Sequence, residues 1–345
     1  MKALIDKLQQ TNFLTKQEFI NLLANRNTDL DQYLFEKARN VTEKYFDKNI
    51  YIRGLIEVSN YCKNDCYYCG IRCSNRNVER YRLSKEQILE CCEIGYDLGF
   101  RTFVLQGGED NFYKDEKMID IISSIRKTYE DCAITLSLGE KTYDTYKKYF
   151  EAGANRYLLR HETATYEHYA KLHPANMSLS TRKQCLNDLK EIGFQVGCGF
   201  MIGSPYQTME NIADDLLFIR DFQPEMVGVG PYISHKDTPF KDESNGSMEL
   251  TLFILGLVRL MLPNSLIPAT TALASINETG RESGILAGAN VVMPNLSPTD
   301  VRAKYLLYDN KVSTGDEAAE GLFQLKCKIE KIGYKIVVDR GDFFS

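Results

Sequence analysis

From residue 51 to about residue 310, short apolar runs alternate with longer amphipathic stretches. The runs are I-R-G-L-I-E-V-S at 52–59, T-F-V-L-Q at 102–106, A-I-T-L-S-L at 133–138, R-Y-L-L-R at 156–160, F-Q-V-G-C-G-F-M at 194–201, M-V-G-V-G at 226–230, I-P-A-T-T at 267–271 and N-V-V-M at 290–293. Eight strands, each followed by a helical segment, predict a parallel α/β sheet, because a parallel neighbour is reached only by a long crossover. The span also matches the roughly 250 residues of an eight-stranded barrel. The expected fold class is therefore α/β, a closed (βα)8 TIM-type barrel over 51–310. Residues 1–50 read as an N-terminal helical extension, since T-D-L-D-Q-Y-L-F-E-K-A-R-N-V-T-E-K-Y-F repeats its apolar positions at helical spacing behind an acidic start. Residues 311–345 read as a C-terminal, helical extension packed on the barrel. No Gly-, Pro- or Ser-rich linker interrupts the chain, so its 345 residues, 43% apolar, are expected to build one large core.

Directly after the first expected strand stand Cys62, Cys66 and Cys69, in the run C-K-N-D-C-Y-Y-C. This spacing lets one loop hold three corners of a 4Fe-4S cluster and leaves one iron open to a small chelating ligand. Zinc sites usually pair C-x2–4-C with a second, distant pair of Cys or His, and ferredoxin-type runs are C-x2-C-x2-C. Cys73 extends the run, but a fourth thiolate there would have to fold back over the face where substrate approaches. The other cysteines, Cys91, Cys92, Cys132, Cys185, Cys198 and Cys327, form no cluster-like spacing, so one cluster is expected. A net charge of −5 without a basic block argues against a nucleic-acid partner. No apolar run approaches the roughly 20 residues of a membrane span, and M-K-A-L-I-D-K-L-Q-Q is too polar for a secretory signal. A cytoplasmic protein with no membrane partner is expected, in which ten cysteines serve as metal ligands and isolated thiols.

In α/β barrels chemistry gathers at the C-terminal ends of strands. There this chain carries Asn60 and the cysteine loop, Gly107, Gly108 and Glu109, Ser137, and the group Arg160, His161, Glu162. Taken alone, His161 reads as a structural histidine and Arg182 as a surface ion pair. The C-x3-C-x2-C spacing with Tyr68 just before its last cysteine resembles the signature of the radical SAM superfamily, and Q-G-G-E-D at 106–110 resembles that superfamily's G-G-E motif. More narrowly, F-V-L-Q-G-G-E-D, T-L-S-L-G-E, R-Y-L-L-R-H-E-T-A, I-P-A-T-T-A and G-A-N-V-V-M-P-N resemble the HydE family, radical SAM maturases of FeFe hydrogenase, from about residue 40 to about residue 340.

That resemblance implies one 4Fe-4S cluster on Cys62, Cys66 and Cys69, and S-adenosyl-L-methionine as cofactor. It implies Tyr68, Gly107, Gly108, Glu109, Ser137, Glu162 and Arg182 at the cofactor, with Thr135, Arg160, Met226, Thr270, Thr271 and Tyr308 along the cavity that receives substrate. The implied reaction is reductive cleavage of S-adenosylmethionine to a 5′-deoxyadenosyl radical that acts on a small organometallic iron species carrying CO, cyanide and cysteine. Other hydrogenase maturation proteins, and an electron donor such as ferredoxin or flavodoxin, are the implied partners. Two features depart from the family: Cys73, and a C-terminal region whose single Cys327 cannot hold the second cluster of some members. The alternatives are another enzyme of the biotin synthase and methylornithine synthase branch, acting on an amino-acid-derived substrate, and a non-catalytic iron-sulfur scaffold.

Overall fold

The computed structural model describes every residue except Thr314, Asp316, Glu317 and Ser345. Three helices open the chain, Lys2–Thr11, Lys16–Ala24 and Thr28–Phe46. A reciprocal capping box between Thr15 and Glu18 starts the second, and the Asn27 side chain starts the third by accepting from Leu30 N–H. Leu30, Leu34, Ala38 and Val41 form the buried stripe of that third helix. It packs on the helix Met248–Met261, where Gly256 leaves room for Leu34.

The strands are β1 (Asn49–Ile52), β2 (Gly54–Ser59), β3 (Thr102–Gly107), β4 (Ala133–Ser137), β5 (Arg156–Leu158), β6 (Gln195–Cys198), β7 (Met201–Ile202), β8 (Met226–Val227), β9 (Gly230–Pro231), β10 (Val291–Val292) and β11 (Lys335–Val337). Six form one parallel sheet in the order β2-β3-β4-β5-β6-β8. Single parallel bridges carry the pairing onward, from Met226 to Leu266, from Pro268 to Val291, and from Asn295 to Leu55. Leu55 N–H donates to Pro294 O at 2.9 Å and Leu55 O accepts from Leu296 N–H at 2.7 Å, which brings the pairing back to β2.

Three of the expected strands are interrupted. Arg53 separates β1 from β2, Gly199 and Phe200 separate β6 from β7, and Gly228 and Val229 separate β8 from β9. The last two breaks lie against each other: Gly199 has φ +153°, and a Cβ on it would fall 2.0 Å from Gly228 O. The expected strand at 267–271 is reduced to isolated bridges because Pro268 has no N–H to donate. The C-terminal extension is not purely helical. After the helix Leu322–Lys331, β11 pairs parallel with β1, and residues 340–342 accept hydrogen bonds from the fully buried Arg156.

Candidate active site

The cysteine loop leaves β2 at Ser59 and is held by a frame of polar side chains. Asn60 donates to Glu79 O and Lys304 O and accepts from Tyr81 N–H. Arg80 donates to the carbonyls of Asn60, Ile71, Arg72 and Asn75. Asp65, between the first two cysteines, grips Arg72 with both oxygens and takes two bonds from Ser74. These donors hold its carboxyl well below the usual carboxylate range. The loop is also sunk into its surroundings: a Cβ on Gly108 would meet Tyr61 O at 2.2 Å and Cys62 Cβ at 2.7 Å, and one on Gly70 would meet Leu306 O at 2.3 Å. The second glycine of Q-G-G-E-D, Gly108, thus serves the approach of the cysteine loop itself.

Cys62, Cys66 and Cys69 are half-buried and line one wall of a cavity of about 330 Å³. Burial pushes all three thiols up, Cys69 to about 12, because a bare thiolate is poorly solvated there. Among the described residues no three His, Cys, Asp or Glu side chains stand close enough to share a single metal ion. Bound iron would supply the positive charge these thiolates need, and a multi-iron cluster spreads its ligands wider than one ion does. Tyr68, between Cys66 and Cys69 in sequence, hydrogen-bonds His173 Nε2 through its hydroxyl at 3.1 Å.

The opposite walls come from the strand ends. Glu109 is 5% exposed, accepts Glu140 N–H at 2.9 Å and pairs with Lys63 Nζ at 3.0 Å. Gly139, at φ +74°, makes room for it, since a Cβ there would lie 2.1 Å from Glu109 Cγ. Arg182 is 7% exposed and fixed by Glu140 Oε1 and by Arg160 O, so it is no surface ion pair. These two anchors, a carboxylate and a backbone carbonyl, set its guanidinium beside the cavity. Arg160 and Glu162 face each other at 3.4 Å, too poorly aligned for a hydrogen bond. Arg160 Nε and Nη2, Glu162 Oε2 and Thr270 Oγ1 are buried without hydrogen-bond partners. Such atoms are costly unless a polar ligand completes them.

Of the residues singled out in the sequence, Tyr68, Gly107, Gly108, Glu109, Ser137, Arg160, Glu162, Arg182, Thr270, Thr271 and Tyr308 line this cavity together with the three cysteines. Thr135 and Met226 do not. Thr135 Oγ1 is buried without a partner, and Met226 Sδ accepts from Arg53 Nη1 at 3.0 Å. His161 is fully buried, and Cys73 is exposed. Sequence reasoning missed Asn64, Tyr305 and Lys311 on the cavity wall. Lys311 is paired with the fully buried Glu57, whose other oxygen accepts from Asn295 Nδ2 at 2.9 Å. Only Glu57 gave a signal, as the one charge inside a strand otherwise buried throughout.

Comparison with known proteins agrees with this geometry. The profile of the radical SAM superfamily matches residues 56–219. The chain is 40% identical over 334 residues to the FeFe hydrogenase maturase subunit HydE of Thermotoga maritima, covering 97% of this chain and 95% of that one. It is 30% identical over 341 residues to the 3-methylornithine synthase of Methanosarcina barkeri, covering 96% and 93%. The crystal structure of methylornithine synthase (PylB) superposes with a TM-score of 0.86 at 28% identity, covering 97% of each chain.

Proposed function

The chain belongs to the radical SAM superfamily, in the branch that holds HydE, and from that premise we propose that it is a HydE-like maturase acting on a small iron–cyanide–carbonyl–cysteine precursor of the FeFe hydrogenase diiron subcluster. The observation that carries the reading is the meeting, in one cavity, of the three-cysteine loop with an acidic pair and two arginines, several of whose polar atoms make no hydrogen bond. A 4Fe-4S cluster with S-adenosylmethionine supplies, when bound, a 5′-deoxyadenosyl radical by one-electron cleavage of a carbon–sulfur bond.

In this reading Cys62, Cys66 and Cys69 would hold the cluster. Glu109 would accept from the methionyl ammonium, its carboxylate already oriented by Glu140 N–H and Lys63. Glu162 would accept from a ribose hydroxyl, and Arg182 would face the carboxylate. Arg160, with two nitrogens that make no hydrogen bond, and Thr270 would contact an anionic substrate. Leu158, Leu159, Met201, Ile233 and Met293 give the cavity apolar walls that exclude water from a reactive radical. The bridges at Leu266, Pro268 and Asn295 support a closed (βα)8 barrel, with residues 1–50 and 311–345 as additions to that one domain.

Co-expression of this chain with a FeFe hydrogenase and the other maturation proteins, in a host lacking its own HydE, is expected to restore hydrogen evolution. A methylornithine synthase reading has its own support in the 97% structural coverage. Formation of 3-methylornithine with no hydrogenase activity would favour it over the maturase.

A further inference from the structure

Arg160 and Glu162 reach the cavity from a turn that the surrounding structure has to impose. Glu162 sits at φ +66°, a left-handed conformation that is costly for a residue bearing a Cβ. On one side the turn is tied to the break after β6: Glu162 N–H donates to Gly199 O at 3.1 Å, and Gly199 N–H returns to His161 Nδ1 at 3.2 Å. Because Nδ1 accepts, the ring proton is on Nε2, which lies 3.3 Å from Asp215 Oδ1 but out of line for a hydrogen bond. The same carboxylate oxygen accepts Ala164 N–H. Asp215 comes from the helix Met209–Phe222, whose Phe218 also lies against the His161 ring, 4.7 Å between centroids. Both members of the pair have no solvent exposure. One helix thus holds the turn at 164 by a hydrogen bond and packs against it at 161 through the Asp215 carboxyl and the Phe218 ring, on either side of Glu162.

We propose that His161 and Asp215 are positioning residues that hold the 160–164 turn in the conformation presenting Arg160 and Glu162 to the cavity. They touch neither cofactor nor substrate and act through the backbone. A buried His–Asp pair that served stability alone would have no reason to bracket the strained residue. The inference rests on the reading that Glu162 faces the cofactor.

Three variants separate positioning from stability in the reconstituted protein: Asp215→Asn, Asp215→Ala, and the paired His161→Phe/Asp215→Leu. The asparagine keeps an oxygen for both Ala164 N–H and His161. The paired variant leaves no unpaired side-chain charge, and it releases the Gly199 and Ala164 N–H groups from their acceptors. The readouts are S-adenosylmethionine affinity, melting temperature, iron content, and hydrogen exchange of the 162 and 164 amides without cofactor. Asp215→Asn is expected to stay near the parent. The paired variant is expected to melt lower than the parent but to stay folded and keep its iron at the assay temperature, while losing affinity roughly tenfold to a hundredfold, the scale of a displaced contact group, with faster exchange at 162 and 164. If the paired variant does not fold, Asp215→Ala carries the same comparison. Parental affinity and exchange in the folded variant would overturn the proposal, as would an affinity loss that simply tracks the melting temperature. Glu162→Ala binding cofactor like the parent would count against the placement of Glu162, whereas the exchange measurement would still report on the latch.

Discussion

Gly108 shows at the scale of one residue how the site is built. A Cβ there lands on the Tyr61 carbonyl and on Cys62, and neither can turn aside as a flexible side-chain tip would. Gly108→Ala is expected to cost about 1–3 kcal/mol by overpacking and to lower the iron bound per chain; thermal melting and iron analysis matching the parent would contradict this. The family resemblance puts Gly107 and Gly108 at the cofactor, and only the fold shows that at Gly108 the close neighbour is the cysteine loop. Arg160 and Glu162 give a second residue-level test. Arg160→Ala is expected to leave S-adenosylmethionine binding near normal while hydrogenase maturation falls, and Glu162→Ala to weaken cofactor binding itself. Equal loss of binding in both would remove the division of roles. The residue types at the strand ends were legible because catalytic loops follow strands in such folds. Lys311 was not, since nothing local says that a lysine in a C-terminal segment pairs with Glu57 more than 250 residues earlier.

The element Tyr166–Leu172, with His173 at its end, ties the cysteine loop to the rest of the fold and carries a pH dependence. Leu172 O accepts from Tyr67 N–H, and His173 bonds Tyr169 O and the Tyr68 hydroxyl. Burial pulls His173 down from 6.5 to about 3, and pulls His168 down as well. The folded state therefore holds both rings neutral, while the unfolded chain takes up protons below its ordinary histidine range. Stability is full above pH 6.5 and is lost as pH falls towards 3. For His173 alone the loss between pH 7 and pH 5 is about 2 kcal/mol. Denaturant titrations at the two pH values are expected to show a smaller difference for His173→Phe than for the parent; identical differences would refute the assignment. At this scale the strand–helix alternation was readable from apolar periodicity. The breaks at Arg53, Gly199 and Gly228 were not, because each depends on what another strand presents at the same height.

Across the whole molecule the C-terminal tail is fastened to the sheet by a contact invisible in sequence. Arg156, at the start of β5, donates to Arg340 O and Gly341 O and pairs with Asp342 at 2.6 Å, and Thr102 Oγ1 also donates to Arg340 O. Truncation after Val337 leaves this buried guanidinium without a counter-charge and with only Gln195 and Thr102 as partners, and a loss of about 3–5 kcal/mol is expected; denaturant unfolding unchanged by the truncation would contradict it. Arg156 alone gave no hint of this, as its partners lie more than 180 residues away. The same long-range assembly brings the cysteine loop and the strand-end acids into one cavity, and the central claim concerns what happens there. The direct measurement is product analysis of anaerobically reconstituted protein given S-adenosylmethionine and a strong reductant, in the parent and in Cys62→Ser, Cys66→Ser, Cys69→Ser and Cys73→Ser. Methionine and 5′-deoxyadenosine are expected from the parent and from Cys73→Ser, with about four irons per chain, and from none of the other three. Loss of products and cluster in Cys73→Ser, or products from a chain lacking one of the three loop cysteines, would contradict the account.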